Sequence, residues 1–126
     1  ITQGECDIIM TAHVFNSNLD PDYPATLSSD IITGILRDEL AWDGVVISDD
    51  MHMAAITDNY GLETALELCI NAGVDMLIFS NNSSGYYENA AQEAIDMIGE
   101  MVDDGRISES RINEAYQRIE QLKNGI

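Results

Sequence analysis

Two adjacent carboxylates, Asp49 and Asp50, close the apolar run of "GVVISDDMHM" (residues 44–53). An acid at the end of such a run can be a nucleophile, a general base or a metal ligand. It can equally open a loop and cap it. Successive strand side chains point to opposite faces. In a regular strand, one acid would face the inner side of the sheet and the other the helix layer, one reacting and the other supporting it. His13 ends a second apolar run, "DIIMTA" (7–12). Alone, a histidine there is more often a hydrogen-bonded structural group, but beside an acid on a neighbouring strand it becomes a pocket candidate. Met53 lies just past the acids and can line a pocket wall. His13, His52, Asp49 and Asp50 do not have zinc-ligand spacing, and there is no EF-hand loop. A glycine-rich phosphate loop and a G-x-S-x-G elbow are also absent.

The charge balance narrows the partners. The 126 residues carry a formal net charge of -18. Residues 1–105 hold 20 acids against one base, Arg37, while Arg106, Arg111, Arg118 and Lys123 lie in the last 21 residues. Phosphate backbones and anionic membrane surfaces would repel such a chain, so neither nucleic acid nor membrane is expected as a partner. No apolar run approaches the length of a membrane span. Cys6 and Cys69 fall in apolar segments without motif spacing and read as small core residues. The chain opens "ITQGECD", without methionine, and reads as a piece of a longer protein; its compartment is left open.

The elements that must position these groups alternate. "DIIMTA" reads as a strand and is followed by a loop rich in Asn, Asp and Pro. Ser28 or Ser29 can cap a helix carrying Ile31, Ile32, Ile35, Leu36 and Leu40 at helical spacing. "WDG" is a turn, and "VVIS" (45–48) is a strand apolar enough to be covered on both faces. "GLETALELCINAG" is a helix ended by Gly73, and "VDMLIFS" (74–80) is the third strand. "YYENAAQEAIDMIGEMVDDG" (86–105) forms the next helix. Ser108 caps a last one, with Ile112, Ala115, Ile119 and Leu122 on one stripe. The order β-α-β-α-β-α-α calls for parallel strands with right-handed crossovers. Either a small doubly wound sheet or part of a (β/α)8 barrel fits. Both place function at the carboxyl ends of the strands, here His13, Asp49–Asp50 and Ser80-Asn81-Asn82. A full barrel needs about 250 residues, so three βα units and a terminal helix would be its last part.

Four blocks, "DIIMTAHV", "PATLS", "ILRDELAWDGVVISDDMHM" and "AGVDMLI", resemble in order and spacing the C-terminal portion of the catalytic barrel of glycoside hydrolase family 3. The "SDD" form followed by Met-x-Met is similar to the β-N-acetylglucosaminidase branch, whereas the β-glucosidase branch more often shows "SDW". The resemblance implies an α/β fold with parallel strands, residues 1–126 forming one segment of a (β/α)8 TIM-type barrel. It implies a retaining hydrolase that releases terminal β-linked N-acetylglucosamine, with Asp49 as nucleophile and Asp50 supporting the turn. His13 and Met53 are the candidate substrate-binding residues. A carbohydrate is the implied substrate, with no cofactor or metal. The family's "KHFPGHG"-like sugar-binding segment and the loop bearing its His-Asp acid/base pair are not in this sequence, so the chain carries half of a two-group mechanism. Alone it is expected to be inactive, and to self-associate or stay with a missing barrel half. The alternatives are a non-catalytic α/β half-barrel or interaction module, a β-glucosidase-type member of the same family, and a phospho-acceptor domain, which usually needs a Lys near its last strand.

Overall fold

The computed structural model describes residues 6–80 and 88–125. Three strands, β1 (Ile8–Met10), β2 (Val45–Asp50) and β3 (Met76–Ile78), form one sheet in the order β1-β2-β3. Both pairings are parallel, with Ile8 opposite Val45 and Ile47 opposite Met76. This is the α/β alternation expected from the sequence. The strand bounds differ. β1 and β3 are shorter than their apolar runs, and β2 continues through both acids, so Asp49 and Asp50 belong to the strand itself.

Local chemistry sets most helix ends. Ser28 Oγ accepts the amide of Ile31 at 3.1 Å and opens the helix Asp30–Glu39. That helix is π-wound, and the amide of Leu40 closes it on the carbonyl of Ile35, five residues back. Ser108 Oγ accepts the amide of Arg111 and opens the helix Glu109–Gly125. The helix Leu62–Ala72 stops at Gly73, whose φ of 117° is open to glycine at little cost. Ala90–Asp103 forms another long helix, between Leu62–Ala72 and Glu109–Gly125. A short helix, Ala54–Tyr60, was not anticipated; seven residues with one buried side chain, Ile56, leave too little periodicity to read.

The core lies between the sheet and these helices. Leu27, Ile32, Val46, Met51, Ile56, Leu66, Cys69 and Met101 are all buried there. The other side of the sheet is open: Ile8 is 45% exposed, Met10 62% and Met76 37%. Met10, Ile47 and Met76 sit in one row across the three strands, so these exposures belong to one face. Met76 therefore does not fill the core as its type suggests, whereas Met51 does.

Arg37 lies in the last turn of its helix, but its side chain is turned inward and mostly buried. Its Nη1 donates to the carbonyls of Trp42 (3.0 Å) and Gly44 (2.7 Å), its Nη2 pairs with Asp75 at 2.9 Å, and its guanidinium lies 5.1 Å from the centre of the Trp42 ring. Burial lowers its pKa, and the nearby Arg118 adds to the effect. Trp42 is pinned in turn by its indole N–H, which donates to the carbonyl of Cys6 at 2.9 Å.

Gly44 is required by this packing. A Cβ there would lie 2.3 Å from Trp42 Cζ2 and 2.7 Å from the carbonyl oxygen of Asp7, which accepts the amide of Val45. Gly44→Ala must push the indole or the first rung of the β1–β2 ladder aside. A loss of about 1–3 kcal/mol is expected, read as a lower urea midpoint at unchanged slope.

Candidate functional site

The carboxyl ends of β1 and β2 meet at Asp50. Its carbonyl accepts His13 Nε2 at 2.9 Å and the amide of Met53 at 3.1 Å. Its carboxylate accepts the amide of His52 (3.1 Å), the amide of Ser80 (3.1 Å) and the Ser80 hydroxyl. One residue thus ties the tip of β2 to the chain after β1, to its own following turn and to the chain after β3. Burial would raise its carboxyl pKa, but the hydrogen bonds from Ser80 and His52 outweigh this and hold the group below its ordinary value of 3.8.

Asp49 has a different environment. Opposite β3, Ile47 pairs with Met76 and Asp50 with Ile78, so β2 carries one residue more than β3 in this interval. The strand is therefore not regular at the acids, and simple face alternation does not apply to them. Bulges re-aim side chains and are over-represented beside active sites. Asp49 is half-buried, and the described residues give its carboxylate one hydrogen bond, from the amide of Asp50 to Oδ1 at 2.8 Å. Asp50 is committed to holding the tip, while among the described residues Asp49 is committed only to its neighbour's amide.

His13 stands beside them with both ring nitrogens engaged: Nδ1 lies 3.0 Å from Thr26 Oγ1 and Nε2 bonds Asp50. Met53 is 41% exposed and precedes the short helix Ala54–Tyr60. His13, Asp49, Asp50 and Met53 thus share one end of the sheet. Asn81 and Asn82 lie outside the described residues. His52 packs edge-on to Phe79, ring centres 5.1 Å apart. Ser80, expected at the third strand end, is found bound to Asp50, whereas Thr26 is a contributor that the sequence did not single out, since it matters only through a partner on another segment. Among the described residues no three His, Cys, Asp or Glu gather to hold a metal, and no helix is long and apolar enough to cross a membrane. A cavity of about 280 Å³ beside Tyr23, Leu27, Asp30 and Leu68 includes none of the strand-tip residues.

The depressed pKa of Asp50 has a consequence in acid. A group that ionises more easily folded than unfolded stabilises the fold above its unfolded pKa, and that contribution is lost as pH falls through the folded value. Asp20 behaves alike: burial opposes its charge, but the Ser28 hydroxyl and the amides of Asp22 and Tyr23 hold its pKa down. Stability should therefore drop below about pH 4. Asp50→Asn should lower the melting temperature at neutral pH and cost progressively less toward about pH 2. Equal costs at both ends would show that the hydrogen bonds do not depend on the charge.

With this geometry in place, likeness to known proteins becomes informative. A family model, the "Glycosyl hydrolase family 3 N terminal domain", matches residues 1–122. The chain belongs to glycosyl hydrolase family 3. A beta-hexosaminidase from Tolumonas auensis is 36% identical over 85 residues, covering 68% of this chain and 25% of the relative. One from Shewanella frigidimarina is 44% identical over 79 residues, covering 61% of this chain and 22% of the relative. Among solved structures, a glycoside hydrolase family 3 beta-N-acetylglucosaminidase from a Paenibacillus species superposes with a TM-score of 0.83 at 38% identity, over 94% of this chain and 22% of that one. The chain thus spans about a quarter of the length of these relatives.

Proposed function

We propose that this chain is the nucleophile-bearing part of a retaining family 3 glycosidase that releases terminal β-linked N-acetylglucosamine, and that its three strands are part of a (β/α)8 barrel formed with the rest of the protein. The observation that carries the reading is the division of labour at the end of β2: Asp50 is clamped from three sides, while Asp49, at a register irregularity, has a carboxylate that among the described residues is tied only by its neighbour's amide. Similarity to a beta-hexosaminidase and to a family 3 beta-N-acetylglucosaminidase supports the choice of sugar.

In a retaining mechanism the Asp49 carboxylate attacks the anomeric carbon as the bond to the leaving oxygen breaks, and a proton donor on the other face protonates that oxygen. Water then hydrolyses the glycosyl ester with the same group acting as base. Among the described residues, His13 has both ring nitrogens engaged and His52 packs on Phe79. The reading therefore assigns the proton donor to another segment of the full-length protein. A 5-fluoro N-acetylglucosaminide with a good leaving group should trap the ester in the full-length protein, and peptide mapping should find the label on Asp49. Label on Asp50, or on no acid of this chain, would refute the assignment.

The incomplete site predicts that the chain alone does not hydrolyse a chromogenic N-acetylglucosaminide. The open row of Met10, Ile47 and Met76, with outer edges of β1 and β3 that no strand among the described residues covers, favours association through the sheet. Charge repulsion opposes this but is screened beyond about 10 Å at 0.1 M salt. Sedimentation at micromolar concentration should show oligomers, and a monomer that turns over the sugar would overturn both expectations.

A further inference from the structure

The hydrogen bonds of His13 give it a task separate from holding sugar. A carbonyl oxygen only accepts, so the Nε2 facing Asp50 carries the proton. In the neutral ring Nδ1 then accepts, and the donor is the hydroxyl of Thr26, a fully buried residue. Thr26 Oγ1 in turn lies 3.0 Å from Thr11 Oγ1, whose hydrogen completes the chain. A neutral imidazole has one donor and one acceptor, and both are spent inside the protein. Neither remains for a sugar hydroxyl.

What the ring holds is also specific. Asp50 offers its carbonyl to His13 and its amide to Asp49 Oδ1 at 2.8 Å. A shift of the Asp50 backbone therefore carries the Asp49 carboxylate with it. The far end of the relay is anchored in two other segments: Thr11 directly follows β1, and Thr26 lies in the 3-10 turn Ala25–Leu27. We propose that His13 is a positioning residue for the nucleophile: the Thr11–Thr26–His13 relay fixes the backbone of Asp50 and through it the Asp49 carboxylate. This rests on Asp49 being the nucleophile.

The test uses the full-length protein with four substitutions. His13→Gln keeps an N–H donor near the position of Nε2. His13→Asn reaches only toward Thr26. Thr26→Val removes the hydroxyl that orients the ring, and Thr26→Ser restores it. A misplacement of about 1 Å costs about 100-fold in rate. His13→Asn should therefore lower kcat by about 100-fold with KM changed less than about threefold, since ground-state sugar contacts are intact. His13→Gln should keep kcat within about tenfold, Thr26→Val should fall with His13→Asn, and Thr26→Ser should recover. The rate constant for trapping by the 5-fluoro sugar should drop in parallel while the final labelled fraction stays complete. A raised KM with normal kcat would make His13 a sugar ligand and overturn the proposal. A lower labelled fraction with an unchanged rate per labelled site would reduce it to fold stability and also overturn it. Failure of the unsubstituted protein to label Asp49 would sink the nucleophile assignment itself, a result distinct from both.

Discussion

If Asp49 is the nucleophile proposed above, Asp49→Ala in the full-length protein is expected to lower kcat by about four to six orders of magnitude, the scale on which losing a covalent nucleophile is felt. Asp50→Ala should cost about 10- to 100-fold, because it moves the tip rather than removing the attacking group. The two acids are neighbours in sequence and equal in type, so the inequality is the informative part. The Asp50 carboxylate accepts hydrogen bonds from the amides of His52 and Ser80 and from the Ser80 hydroxyl, and its replacement should also lower the melting temperature. Among the described residues Asp49 contributes one local hydrogen bond, so Asp49→Ala should melt close to the unsubstituted protein. Excess azide should restore turnover to Asp49→Ala and give an inverted glycosyl azide, since a small anion can occupy the vacated space. It should do nothing for Asp50→Ala. Comparable kinetic losses in both variants would place the nucleophile elsewhere.

Asp75→Ala should be the most destabilising single change, at about 3–5 kcal/mol, the range seen when one partner of a buried ion pair is removed. The Asp75 side chain has no exposed surface. Its Oδ2 accepts Arg37 at 2.9 Å and the amide of Val46 at 3.0 Å; its Oδ1 accepts Arg111 at 2.7 Å and Arg118 at 3.2 Å. Three guanidinium groups would lose their shared counter-charge at once. Arg111 also donates to the carbonyls of Ile70 and Val74, and Arg118 to Asp43, so these side chains cannot simply turn to water without breaking other bonds. Asp75 lies just before β3, at the end of the sheet opposite the strand tips. The loss should therefore appear in the denaturant midpoint of the full-length protein and not in the trapping rate of molecules that remain folded. Since a domain is stable by only about 5–15 kcal/mol, recovery of folded protein should fall sharply. Asp75→Asn, which keeps the shape and an acceptor, should cost less. Asp75→Ala with an unchanged midpoint would show that the arginines find other partners.

Much of this molecule was written locally in its sequence. Alternating apolar runs and helical stripes set the order of elements and the parallel sheet, because the period of burial is a property of short segments. Ser28, Ser108 and Gly73 end or open helices through bonds that span a few residues. The placement of His13 and the two acids at one end followed from strand direction alone, once the strands were parallel. Tertiary structure decided the rest. Arg37, Arg111 and Arg118 converge on Asp75 from 36 to 43 positions away in the chain, and nothing near Arg37 in the sequence announces a buried partner. The irregularity that gives Asp49 and Asp50 different surroundings arises from pairing with β3. His13 became a bridge because Thr26 and the Asp50 carbonyl lie on either side of it, 13 and 37 residues along the chain. Hydrogen-bond partners so far apart in sequence are chosen by packing, and packing is where two identical carboxylates acquire different work.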